Sequence, residues 1–241
     1  MKLRSRGGIA VVSAIVAAAL VLAGCSSKSN QGGSSTAPNG DAANTVKQAA
    51  DAMRKVTGMH MSLTVQGNVP NLQVTKLDGD VSNTPQPVAT GTATVTVGDA
   101  NKDAKFVYVD GNLYSDLAAP SGKYVNYGDG ISIYDVSTLL DPDRGLAMVL
   151  ANLKDPKAAG SENVNGIATT KITGSSSSND IARLAGRRLG PQDVTTVPTT
   201  VWIASDGSYH LVKFEIVPVQ NGTVTLTMSD WGKTVTATKP T

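Results

Sequence analysis

The chain has 241 residues, with 21 lysines and arginines against 19 aspartates and glutamates, one cysteine and only 4% aromatic residues. So even a balance excludes the strongly cationic surface that nucleic acid demands, and a single cysteine excludes an internal disulfide framework. With so few rings, small and β-branched side chains must fill the core.

Lys2, Arg4 and Arg6 form a basic head, followed by an apolar run from Ile9 to Ala23. This is the layout of a secretory leader, since a spanning helix needs about 20 consecutive apolar residues. Behind it, Leu22, Ala23, Gly24 and Cys25 resemble a bacterial lipobox. That resemblance implies a signal peptide of residues 1–24, cleaved before Cys25. It also implies a diacylglycerol on the Cys25 sulfur and an acyl chain on the new amino terminus. Two or more acyl chains hold a protein firmly to a bilayer, where one attaches it only reversibly. Removal of the leader leaves 18 basic residues against 19 acidic ones.

Residues 25–40 are rich in Gly, Ser and Asn and read as a lipidated terminus and flexible tether. Residues 41–241 are long enough for one domain with a substantial core. Asp41 or Asn44 caps a helix whose apolar positions Val46, Ala49, Ala50, Met53 and Val56 recur at helical spacing, with Gly58 beyond its end. From Met59 the period changes to two, and strands are predicted at 59–66, 72–81, 88–97, 104–110, 112–116 and 124–127, with a tight turn at Asp110-Gly111.

Asp141-Pro142 announces a second helix through Leu146, Val149, Leu150 and Leu153, with Gly145 a mild weakness inside it. A strand follows at 167–173, then a serine-rich loop at 175–178 and a short helix containing Ile181, Leu184, Ala185 and Leu189. Strands at 199–204, 209–217 and 223–229 are separated by Asp206-Gly207 and Asn221-Gly222. Short turns of this kind join antiparallel neighbours. The expected class is α+β, an antiparallel sheet with helices segregated to one face.

Chemistry is thin along this chain. His60 and His210 are the only histidines, and no nucleophile elbow or zinc-binding helix motif accompanies them. No catalytic residue, metal ligand or cofactor site is assigned. Asp99, Asn101 and Asp103 resemble half a calcium loop, but Ala104 stands where that loop needs glycine and the strand pattern continues through Phe106 to Val109. Arg183, Arg187 and Arg188 form the one dense cationic cluster and read as a solvated helix face.

Four stretches carry a resemblance: Val56 to Leu72, Ala104 to Leu117, Ser137 to Pro142 and Val197 to Ile216. With the lipobox and tether they are similar to the mycobacterial lipoprotein family of LppX, LprA, LprF and LprG, nearest its LprA branch, over about 41–239. The resemblance implies a strongly curved antiparallel sheet, a half-barrel, with helices over its concave face and an apolar cavity between them. It implies a non-enzymatic protein anchored to the outer face of the plasma membrane, facing the periplasm. Such a protein binds an acylated glycolipid or other long-chain lipid and works beside an envelope lipid transporter. The triacylated terminus is expected to engage host Toll-like receptor 2.

Pattern and expected topology together select cavity candidates Leu63, Val65, Val74, Ala93, Val95, Val107 and Val109 from the sheet. Leu146, Met148, Val149, Leu150 and Leu153 are selected from the helical layer. Periodicity names a face and leaves open whether that face meets a guest or another side chain. The alternative is an envelope lipoprotein with a filled core that acts through protein–protein contacts.

Overall fold

Alternating apolar residues from β1 (Gly58–Gln66) onward build a single sheet of eleven antiparallel strands. The computed structural model describes residues 39–119, 123–187 and 189–240. The lipobox, Cys25 and nearly all of the tether lie outside the described residues.

The sheet is two meanders joined back to back. The first is β1, β2 (Val74–Ser82), β3 (Val88–Val97), β4 (Ala100–Val109), β5 (Asn112–Ser115) and β6 (Val125–Asp129). The second is β7 (Lys154–Val164), β8 (Ile167–Ser177), β9 (Thr196–Ala204), β10 (Leu211–Val219) and β11 (Gly222–Ser229). The spatial order is β6-β5-β4-β3-β2-β1-β11-β10-β9-β8-β7, so the first and last strands pair at the middle. Their register sets Met61 against Met228, Leu63 against Leu226 and Val65 against Val224.

The expected half-barrel is not what forms. β6 and β7 are free edges at opposite ends of the ladder, and the sheet is neither closed nor strongly curled. The hairpin turns legible in the sequence fix pairing between neighbours, and pairing alone carries no measure of curl.

Helix α1 (Asn39–Met53) buries Ala42, Val46, Ala49, Ala50 and Met53 and leaves Lys47, Asp51 and Arg54 outside, where they pair at 2.6–3.0 Å. The crossover from β6 to β7 carries a short 3-10 helix at Val136–Leu140 and α2 (Leu146–Ala151). Asp141 does not begin α2 directly. Its carboxylate accepts from the amides of Asp143 and Arg144, and Gly145 is the N-cap. A Cβ at Gly145 would lie 2.4 Å from the Thr138 carbonyl oxygen, so only glycine fits this corner.

The third helix, α3 (Ser178–Leu184), is capped by Ser177. It ends in a left-handed Gly186, with the Gly186 amide donating to Arg183 and the Arg187 amide to Ala182. This double closure is a Schellman motif. It stops the helix before the Gly190-Pro191 pair predicted to end it.

Two segments differ from their sequence reading. The serine run belongs to β8, paired through Ser175–Ser177 with Pro198, Val197 and Thr196, and buried Ser176 takes a 2.9 Å hydrogen bond from Thr199. β7, which the pattern does not reveal, is an edge strand carrying Pro156 and Gly160 with two register shifts. An edge tolerates both residues.

The main core lies between the helices and one sheet face, joining Met59, Met61, Tyr108, Ile172, Val201, Ile203 and Phe214 to α1 and α2. Its members run from Ala42 in α1 to Met228 in β11, so both meanders share it. A smaller cluster on the opposite face surrounds Trp202 with Val164, Ala204 and Val212. Trp202 donates to Glu162 at 2.9 Å, and the Lys171 and Lys213 ammonium groups lie over its ring at 5.0 and 4.0 Å.

Candidate functional site

Antiparallel register places directly opposed residues on one face, so the helix-covered surface can be read row by row. One row is Met59, Val81, Ala89 and Tyr108, all buried beneath the helical layer. The next is Met61, Gly79, Gly91 and Phe106. Gly79 and Gly91 face one another, and a Cβ on Gly91 would stand 2.3 Å from the Asp78 carbonyl oxygen. The third row is Leu63, Leu77, Ala93 and Ala104. Beyond it Val65 and the opposed pair Val74 and Val95 lie at the far end of the strands.

The sequence candidates therefore fall into three groups. Leu146, Val149, Leu150 and Leu153 are buried in the main core with α1, and Met148 packs partly against it. Leu63, Val65, Val74, Ala93 and Val95 share the helix-covered face but are only half-buried, and all except Leu63 lie outside both packed clusters. Val107 and Val109 take the opposite face, because Phe106 and Tyr108 are the β4 residues packed into the core. The two-residue period of β4 is plain from its sequence. Nothing in the strand's own sequence says which of two apolar sets turns inward.

A polar groove of about 510 Å³ opens in the helical layer. Asp135, Thr138 and Arg144 line one wall, Asn179, Arg183 and Arg187 the other, with Gly186 and Leu189 at the end. Arg144 is held by Asp141 at 2.7 Å and lies 3.8 Å from Asp135. Burial pushes the Asp141 carboxyl up, but the Arg144 guanidinium and two backbone amides outweigh it and hold it below the usual carboxylate range. Tyr134 donates to the Leu184 carbonyl at 2.8 Å beside Gly186, and burial keeps its phenol un-ionised far above neutral pH.

Arg187 donates to the carbonyl of Asn71 in the loop joining β1 and β2. The end of α3 thus reaches the same hairpin end that carries Val65 and Val74. The sequence picks out Arg183 and Arg187 but not Arg144, which is remote in the chain and joins them only through the fold.

A second cavity of about 310 Å³ lies beside Ala52, Val56 and His210. There the His210 ring stacks on Trp231 with centroids 4.6 Å apart, and burial lowers its pKa against the opposing pull of Asp206. His60 bridges Asp80 at 2.9 Å and Asp78 at 3.6 Å across β1 and β2. The half calcium loop is strand, with Thr94 donating to Asp103 and Thr96 to Asn101 across the β3–β4 ladder. Among the described residues no group of three or more acidic, histidine or cysteine side chains could hold a metal ion.

An antiparallel sheet with one helix-covered apolar face, behind a sequence that resembles a lipobox, places the chain in a class of cell-envelope lipoproteins. The chain belongs to the LppX_LprAFG lipoprotein family, whose model matches residues 41–237. It is 64% identical to lipoprotein LprA of Mycobacterium tuberculosis over 236 residues, 96% of each chain. It is 42% identical to the lipoarabinomannan carrier protein LprG of Mycolicibacterium smegmatis, covering 100% of this chain and 99% of that one. Among solved structures it is similar to LprF of Mycobacterium bovis, with a TM-score of 0.74 and 29% identity over 84% of this chain and 98% of that one. LppX of Mycobacterium tuberculosis is similar with a TM-score of 0.62 and 28% identity, over 83% and 99%.

Proposed function

We propose that this lipoprotein binds an acylated glycolipid or related long-chain lipid and helps transfer it across the periplasm. Acyl chains on Cys25 hold it to the outer face of the plasma membrane. The observation that carries this reading is the strip Leu63, Val65, Val74, Ala93 and Val95, apolar, turned to the helical layer and only half-covered. Exposed apolar surface costs about 25 cal/mol per Å² in water, so a tail and such a strip each gain by covering the other. The full-length similarity to a protein named as a lipoarabinomannan carrier supports the same reading. Handover to or from an envelope lipid transporter is part of the proposal, as is recognition of the acylated Cys25 terminus by Toll-like receptor 2.

The test is native mass spectrometry of the chain from Ser26 to Thr241, followed by chemical identification of what it retains. A family-type lipid bound at one per chain is the expected result. Consistent absence of lipid after exposure to envelope extract would sink the assignment.

A further inference from the structure

We infer that the groove between Arg144 and α3 binds the phosphate of a phosphate-bearing lipid head, through the guanidinium groups of Arg183 and Arg187. The inference rests on the lipid-binding reading above and adds the chemistry of the head.

Arg144 is already neutralised on its own wall by Asp141 and Asp135. Arg183 and Arg187 face it with no carboxylate within salt-bridge distance among the described residues. The acid nearest in sequence, Asp180, is turned inward and accepts from Asn152 at 3.1 Å. Arg187 spends one donor on the Asn71 carbonyl, which fixes the guanidinium in place and leaves its other donors free.

Two planar donor forks without a carboxylate partner among the described residues, on the wall of a concave site, match the geometry and charge of a phosphate group. The backbone adds to the arrangement. Left-handed Gly186 turns the chain sharply between the two arginines, so Arg187 leaves the helix axis and both side chains line the groove. The Arg187–Asn71 bond also ties the groove to the hairpin end bearing Val65 and Val74. A head held at the arginines thus lies at the same end of the fold as the half-covered strip.

The test is isothermal titration of the chain Ser26–Thr241 at low ionic strength. That chain contains the whole of the body matched by the family model, residues 41–237. The probes are dihexanoylphosphatidylmethanol, a phosphodiester, dihexanoylglycerol, which lacks the phosphate, and inorganic phosphate. The phosphodiester is expected to bind about 10- to 100-fold more tightly than the neutral lipid, the range of one or two charge-assisted hydrogen bonds.

The double variant Arg183→Gln/Arg187→Gln should erase that advantage and leave dihexanoylglycerol unchanged, while Lys47→Gln on α1 changes neither. Thermal unfolding of each variant separates lost binding from lost fold, and Arg183→Gln alone, which removes no internal bond, should retain the wild-type midpoint. Competition by inorganic phosphate that disappears in the double variant supports the site. Equal affinity for the two lipids, or a phosphodiester advantage that survives both substitutions, overturns the head assignment and leaves lipid binding standing. If only inorganic phosphate binds and neither lipid does, the lipid-head assignment and the carrier reading fail together.

Discussion

Replacing Gly91 with alanine probes the closest approach within the sheet. The added Cβ would stand 2.3 Å from the Asp78 carbonyl oxygen and 2.7 Å from the Gly79 Cα, where real Cβ contacts essentially never fall under 3.0 Å. Both obstacles are backbone, held in the ladder that pairs Asp78 with Thr92 and Asp80 with Thr90. The strands must therefore part locally by at least about 0.7 Å, which overpacking data put at about 1–3 kcal/mol. One weakened ladder hydrogen bond adds about 1 kcal/mol. The expected destabilisation of about 2–4 kcal/mol lowers the unfolding midpoint by about 5–15 °C in a domain of this size. Differential scanning calorimetry of the chain Ser26–Thr241 measures it. Gly207→Asn is the control, because that turn residue has open space where a Cβ would go and asparagine tolerates its positive φ. A Gly91→Ala midpoint within about 1 °C of wild type would show that the close approach is not a constraint.

Tryptophan at two positions separates a lipid site from packed core. Val95→Trp, on the half-covered strip, should reduce lipid retained in native mass spectra with a midpoint shift of about 3 °C or less. Val149→Trp, at a position 1% exposed, should destabilise by about 1–3 kcal/mol or more through overpacking, measured by urea unfolding. His210 has its pKa lowered by burial from an ordinary 6.5, so it is neutral in the fold, and stability should fall as pH drops below 6.5 toward the lowered folded value. His210→Phe should flatten that part of the urea-midpoint profile. Asp80 behaves at lower pH: burial raises its pKa, but bonds from Lys233 and His60 outweigh this, and its contribution is present above 3.8 and lost on acidification through the lower folded value. Asp80→Asn should remove that acid-side loss and cost about 1–2 kcal/mol at neutral pH. Cys25→Ser should move the protein from the membrane to the soluble fraction on cell fractionation.

Most of the ladder was legible because it is built from local events. Asp110-Gly111 carries left-handed backbone at both residues, and Asn221-Gly222 at Asn221, where the turns were expected. What failed to show were features decided by distant partners. β7 is polar, broken by Pro156 and Gly160, and becomes a strand because β8 offers a ladder. The serine run reads as a loop from composition, yet β9 captures it and Thr199 bonds Ser176. The inward turn of Phe106 and Tyr108 over Val107 and Val109 is settled by what covers the sheet, and curl is likewise a property of the assembled layers. The arginine groove is the clearest case at the site, since Arg144 and Arg183 meet only when the crossover lies beside α3.

The pairing of β1 with β11 has a consequence for how such a chain is made. Ser62 and Thr227 touch at 2.6 Å across 165 positions of sequence, and every residue of the seam waits on the last strand. Until 222–229 are in place, the two meanders are separate half-sheets, each with a bare inner edge. An edge of that kind invites pairing with another chain, and contacts this distant in sequence form slowly. A chain of this topology therefore completes its sheet only when its final strand is available, and its two halves stand open to mispairing until then.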